Sequence, residues 1–281
     1  MATDDASTPL EGKTIFISGG SRGVGLAIAR RAARDGANVA LVAKTDEPHP
    51  KLPGTIHTAA EEIRDAGGLA LPIVGDIRDA DAVSDAVEQA VEEFGGIDIA
   101  VNNASAINLL GTEELEVKRY DLMQEINVRG TFVVTKACLP HLKHAENPHV
   151  LTLSPPLNLD PKWFAEHVGY TISKYNMSML TLGWAEEFRE EGIAFNSLWP
   201  RTMIATAAVM NLLGGEEAMA QSRTPEILAD AAHAILARPS RECTGNFFID
   251  EEVLAEEGVT DLGRYRADPQ GGELAVDLFL D

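Results

Sequence analysis

Short, wholly apolar runs alternate along the chain with stretches in which apolar residues recur every three or four positions. The runs at 14–18, 38–43, 70–74, 97–101, 149–154, 194–198 and 246–249 predict seven strands. Most show no polar alternation, as expected of strands covered on both faces. The periodic stretches at 24–35, 58–66, 80–94, 118–139, 170–190 and 225–237 predict the intervening helices. Strand and helix in turn are the signature of an α/β fold with a doubly wound parallel seven-stranded sheet, Rossmann-like and a single domain. A loose arm is expected over 1–11, the domain over 12–250, and a tail over 251–281 packed on the domain or on a neighbouring subunit.

Two irregular stretches interrupt the pattern. Segment 45–54 holds Pro48, Pro50 and Pro53, and segment 155–167 holds Pro156 and Pro161. Both follow strand ends, at the edge of the sheet where such folds bind ligands. The first strand runs into Ser18-Gly19-Gly20-Ser21-Arg22-Gly23-Val24-Gly25, and a helix opens at once. Gly19 permits the sharp turn, Gly23 lets backbone approach a pyrophosphate, and Gly25 lets the helix close on the strand. The helix start, with Val24, offers free N–H groups and partial positive charge to an anion.

An NAD-binding unit places an acid about 20 residues beyond the glycines, on the ribose 2′-hydroxyl. Lys44 stands there instead, and Ser21 and Arg22 add a hydroxyl and a guanidinium, a set suited to a 2′-phosphate. The expected cofactor is therefore NADP(H); the alternative leaves Lys44 and Arg22 solvated and gives the ribose to Asp46. Asp76 is placed to accept from an adenine amino group, with Ile77 as an apolar wall; it reads equally as the acid of a helix start.

Charge sharpens this expectation. The 281 residues carry 44 acidic against 23 basic side chains, a net −21. Such a surface repels phosphate backbones and anionic lipids, so nucleic-acid and membrane partners are not expected, and an anionic cofactor needs a local basic patch. No apolar run reaches membrane-spanning length, and the first residues lack the form of a signal peptide. Cys138 and Cys243 show no metal spacing and read as reduced thiols, which with the rest points to a cytoplasmic protein. His141, His144 and His149 read as cations near a helix end rather than as metal ligands, so no metal is expected.

Tyr170 and Lys174 lie one helical turn apart, about 6 Å on one face. A phenol's ordinary pKa is near 10, too high for exchange at neutral pH, and a neighbouring ammonium is expected to lower it. Tyr170 would then pass a proton to or from a substrate oxygen as hydride moves at a nicotinamide, while Lys174 holds its ribose.

Taken together, these residues resemble the short-chain dehydrogenase/reductase family over nearly the whole length. Gly19-x-x-x-Gly23-x-Gly25 is similar to its cofactor motif, Asn102-Asn103-Ala104-Ser105 to its Asn-Asn-Ala-Gly stretch, and Thr244-Gly245-Asn246 to the turn before its last strand. The resemblance implies cofactor contacts from Asn103, Ala104 and Pro200, an active-site asparagine at Asn127, and Tyr170 with Lys174 as the catalytic pair. A narrower set, including Ala43-Lys44-Thr45, Pro48-His49-Pro50-Lys51-Leu52 and Ser154-Pro155-Pro156-Leu157-Asn158-Leu159, is similar to one subgroup whose animal members carry a further sterol-carrier domain, which this chain is expected to lack.

The pattern breaks after the fifth strand. Ser154 takes the first place of the family's serine pair and Pro155 the catalytic one, and Ser154 lies farther before Tyr170 than the family's serine does. Pro155 has no hydroxyl to offer. Either Ser154 is re-aimed, or Asn158 substitutes, or the tyrosine acts without help. Arg201, where the family mostly has glycine, reads as a contact to an acidic substrate or the pyrophosphate, or as a surface arginine. Trp163 and Phe164 either line an apolar pocket or anchor their loop. The expectation is an NADP-dependent oxidoreductase acting on an apolar carbonyl or alcohol, as a homodimer or homotetramer. The competing readings are an NADP(H)-binding regulatory or structural protein with little turnover, and an epimerase or dehydratase on the same fold.

Overall fold

The computed structural model describes residues 8–49 and 52–281. Seven parallel strands, β1 (Thr14–Ser18), β2 (Asn38–Ala43), β3 (Leu69–Val74), β4 (Ile99–Asn102), β5 (His149–Thr152), β6 (Ala194–Trp199) and β7 (Phe247–Ile249), lie in the order β3-β2-β1-β4-β5-β6-β7. The switch point, where the order reverses, falls between β1 and β4, with Ser18 opposite Asn102. In a doubly wound sheet the crevice beyond that point is where ligands sit.

The continuous apolarity of the strands has the cause expected. Ile15 and Ile17 of β1 face one buried layer together with Val39 and Leu41, while Phe16 faces the other with Ala40 and Val42. The first layer is closed by α1 (Gly23–Ala33), α2 (Ile56–Asp65) and later helices. The second is closed by α3 (Ala80–Phe94), the middle helices and the long helix that carries Tyr170.

Helix starts follow their caps. Thr55 and Thr58 exchange side-chain-to-backbone hydrogen bonds in a capping box, so α2 begins at Ile56 and not at 58. Asp79 accepts from the N–H groups of Asp81 and Ala82 and starts α3 where expected.

The middle helix departs from the expected single span of 118–139. It runs as α4 (Val117–Met123), one π-helical stretch (Gln124–Gly130), and α5 (Thr131–Leu142). Widened turns of this kind arise where a helix takes in an extra residue. Here the stretch holds Asn127, which is fully buried and bonded to the neighbouring loop.

Segment 155–167 carries the short helix α6 (Lys162–Ala165), and α7 (Val168–Glu187) follows. Beyond β6 come α8 (Ala207–Leu212), α9 (Gly215–Ala220) and α10 (Glu226–Leu236); α11 (Asp250–Glu256) opens the tail.

Of the arm expected over 1–11, residues 1–7 lie outside those described, as do Pro50 and Lys51. Residues 8–11 are tied down: Leu10 is buried, and Thr8 Oγ1 donates to the Asp35 carbonyl. His149 also departs from its reading as a helix-end cation. It opens β5, is buried, and contacts the Arg238 carbonyl at 2.9 Å through Nε2. Burial lowers its pKa to about 4. Among the described residues no cluster of metal-ligating side chains occurs, and no helix is long and apolar enough to cross a membrane.

The folded-state value for His149 lies below the unfolded one, so the unfolded chain binds more protons as pH falls. His149 therefore contributes stability that is present above its unfolded pKa and lost on acidification. Between pH 7 and pH 5 the wild type should lose about 2 kcal/mol more than His149→Gln, read as the difference in urea unfolding at each pH. Equal losses would show that His149 is not buried neutral.

Candidate active site

The glycine turn sits at the switch point and is held from the β4 side. Asn103 Nδ2 donates to the carbonyls of Ser18 (3.1 Å) and Gly19 (2.9 Å), and the Asn103 and Ala104 N–H groups both donate to Ser18 Oγ at 3.2 Å. Gly19 has φ +72, and a Cβ there would lie 2.8 Å from Ala104 Cα. A Cβ on Gly25 would lie 2.7 Å from the Gly19 carbonyl oxygen. The turn thus needs both glycines for its own packing. Asn103 and Ala104, expected as cofactor contacts, brace the turn.

α1 starts without help: Arg22 makes no side-chain cap, and no acid stands in the first turn. Free N–H groups and an uncompensated dipole are what an anion requires. Around this start, Ser21 is buried and Val24 packs at the edge of the core. Arg22 reaches across to segment 45–54, donating from Nε to the Pro53 carbonyl (3.1 Å) and from Nη2 to that of Gly54 (3.2 Å).

Lys44 Nζ stands 3.2 Å from Asp76 Oδ2. Asp76 is also gripped by Arg78, whose Nη2 is 2.7 Å from Oδ2. The Arg78 guanidinium, with help from Lys44, holds the Asp76 carboxyl far below the usual carboxylate range. Asp76 is thus an ionised partner of two cations. A hollow of about 570 Å³ opens beside it, lined by Asp76, Arg78, Asp79, Ala80, Asp81 and Arg129. Arg78 and Arg129 were not among the expected residues; Arg78 lies two positions from Asp76 in the chain, whereas only the fold brings Arg129 to the same hollow. Ile77, expected as a wall for adenine, is buried against Gly130 in the core.

At the other end of the crevice, Tyr170 and Lys174 lie buried on α7. Lys174 Nζ donates to the Leu153 carbonyl at 2.6 Å and lies 5.0 Å over the Trp199 ring. Burial lowers its pKa to about 7. The expectation that this lysine would lower the Tyr170 phenol is not met in this state. Burial, and secondarily the Asp277 carboxylate, push the phenol above its ordinary value. Desolvation of the phenolate is the leading cause, and the Lys174 ammonium is itself desolvated.

Asn127 does not touch the phenol. Its Oδ1 accepts from Ala106 N–H (2.7 Å), and Nδ2 donates to Ala106 O and Ser173 Oγ, both at 2.9 Å. Ser173 in turn donates to the Tyr170 carbonyl. Asn127 therefore fastens the loop after β4 to the Tyr170 helix.

Ser154 is fully buried, and its Oγ has no hydrogen-bond partner. Asn158, the expected substitute, accepts from the Tyr175 hydroxyl at its carbonyl and from the Asp160 N–H at Oδ1. Pro200 is buried at the end of β6. The Arg201 side chain pairs with Glu252, and its N–H donates to Asp250. Trp163 and Phe164 join the apolar cluster of Tyr170 and Tyr175. So does Phe279, which carries no chemical signal and lies in the tail expected over 251–281.

The profile of the short chain dehydrogenase family matches residues 13–216. Over 272 residues, 97% of this chain, the sequence is 59% identical to hydroxysteroid dehydrogenase-like protein 2 of Danio rerio, 65% of whose length is covered. The chain thus spans a little under two thirds of that relative. The solved structure of a short chain dehydrogenase of Mycobacterium thermoresistibile is 64% identical and superposes with a TM-score of 0.91, covering 97% of this chain and 96% of that one. An NADH-dependent reductase complexed with NAD is 26% identical, with a TM-score of 0.69 and coverage of 86% and 96%.

An unpartnered buried hydroxyl carries a desolvation penalty with no compensating bond. Ser154→Ala should leave stability unchanged or raise it by up to about 1 kcal/mol in urea unfolding. A clear loss would reveal a hydrogen bond to Ser154 that the structure does not contain.

Proposed function

The chain belongs to the short-chain dehydrogenase family, and on that premise we propose that it reduces an apolar carbonyl compound with NADPH, using Tyr170 as the proton donor. The single observation that carries this is the convergence on one sheet edge of an uncapped helix start and a buried Tyr170–Lys174 pair. Family membership supports an oxidoreductase, and the NAD-bound relative supports a nicotinamide dinucleotide. The site fits one. The α1 start has free N–H groups for a pyrophosphate, and Gly19 and Gly25 leave no room for a Cβ.

When bound, the dinucleotide supplies a hydride to the carbonyl carbon. The chain's residues do the rest. Tyr170, held protonated by its surroundings, gives its phenolic proton to the developing alkoxide. Lys174, poised near neutrality, keeps a cation or a donor beside that phenol. Ser154 Oγ, buried and unbonded, is a free donor close to the same helix. Lys44 and Arg22 favour the 2′-phosphate of NADPH, because each keeps N–H donors beyond those already used.

The buried free thiols of Cys138 and Cys243 fit a reducing compartment, and we place the protein in the cytoplasm. Phe132 on α5 and Met179 and Leu182 on α7 leave apolar side chains exposed on the second-layer helices, which supports a homodimer or homotetramer through that face.

Purified protein should oxidise NADPH with apolar aldehydes or ketones, followed by loss of the reduced nicotinamide absorbance. Tyr170→Phe should lower kcat/KM by about 100-fold or more while dinucleotide affinity stays near wild type. Turnover that survives this change would remove Tyr170 from the reaction. Lys44→Asp should weaken NADPH by about 10–100-fold and leave NADH little changed, as read by titration of each. An unaltered NADPH-to-NADH ratio would refute the 2′-phosphate role.

A further inference from the structure

Phe279 is fully buried, and its ring lies among five others. Centroid distances are 5.3 Å to Tyr175, 5.9 Å to Trp199, 6.0 Å to Trp163, 6.1 Å to Tyr170 and 6.2 Å to His167. Its plane is 30° from that of Tyr170, close to stacked. The segment that delivers it is strapped down along its length. Val276 pairs antiparallel with Thr202, Asp277 N–H donates to the Arg201 carbonyl, and Trp199 Nε1 donates to the Leu278 carbonyl at 2.9 Å. Asp281 pairs with Lys162.

Two features mark the ring as a displaceable occupant rather than ordinary core. Phe279 has φ +72, the left-handed region, and is the one non-glycine residue there among those described. Packing of the ring therefore holds the backbone against its own preference. The chamber also contains polar atoms that a phenyl ring cannot satisfy. Two rings of its wall, His167 and Trp163, each have a buried nitrogen, Nε2 and Nε1, without a hydrogen-bond partner. With Phe279 stacked against it, Tyr170 is 5% exposed.

We propose that residues 276–281 are an internal strap whose Phe279 ring occupies the seat of the substrate's own apolar ring. The enzyme then takes carbonyl compounds that bear a flat apolar group of phenyl size, and binds them by displacing Phe279. The vacated chamber offers five aromatic walls for the ring and the unpartnered donors for its polar substituents. The proposal rests on Tyr170 as the proton-transfer group, since that phenol is what the strap covers. Apparent affinity is reduced by the fraction of molecules in which the strap is seated.

The test uses the full chain and a probe that needs no turnover. Trp163 and Trp199 border the chamber, whereas Trp184 lies in a different cluster, so tryptophan emission reports occupancy. Phe279→Ala should give a saturable emission change with toluene, which wild type should show at least about tenfold more weakly. The same variant should lower KM for benzaldehyde by about tenfold and affect a straight-chain aldehyde less. Phe279→Leu, which keeps most of the apolar contact, should shift both readings the same way by less. A folded Phe279→Ala without a saturable response, or with a raised benzaldehyde KM, overturns the strap. If toluene binds but no Tyr170-dependent turnover exists, the function proposed above falls and the chamber stands. If turnover depends on Tyr170 but toluene never binds, the strap falls alone.

Discussion

The pairing of β1 with β4, in a register that sets Ser18 opposite Asn102, is the constraint on which the rest of the molecule depends. It places the chain leaving β4 against the turn leaving β1. The Asn103 amide can then hold two carbonyls of that turn, and the Ser18 hydroxyl can hold two N–H groups in return. The exchange uses the polar groups of the turn internally, and the start of α1 has no side-chain cap. A slip of one residue would turn every apolar side chain of β1 to the wrong layer, so core packing and ligand site are specified by the same register.

Electrostatics in the crevice divide into two regimes. At the Lys44 end the groups are partly exposed, and Arg78, Lys44 and Asp76 settle as mutually paired ions. Water screens such pairs, so their value lies in holding cations in place against the −21 background more than in stability. At the Tyr170 end burial dominates. It pushes the phenol upward and the Lys174 ammonium down to about 7, opposite to the direction expected from the pair alone. The carboxyl of Asp277, a half-buried residue beside them, is pushed up to about 7 by desolvation. A tyrosine–lysine pair thus acquires its chemistry from the dielectric around it as much as from the spacing along its helix.

Much of the architecture was legible in the residues themselves. β1, β2 and α3 begin and end where the apolar pattern and the Asp79 cap put them. The π-helical stretch at Asn127 was not legible, because it accompanies a side chain bonded to a loop distant in sequence, which no local period encodes. Ser154 was legible as a departure from the family's pattern. Its burial without a partner was not, since that depends on how segment 155–167 closes over it. His149 looked like its neighbours His141 and His144, yet the sheet takes it inside and leaves the other two at least partly exposed.

The sequence by itself determined the strand–helix order, the glycine turn, the Tyr170–Lys174 spacing and the loss of a serine at Pro155. These are local: glycine freedom, helical period and residue identity act over a few positions. Tertiary structure alone decided which polar groups are paired, which titrating groups are desolvated, and that Phe279 lies on Tyr170. Those outcomes depend on contacts between segments far apart in the chain, and burial is a property of the assembled layers that no single segment carries.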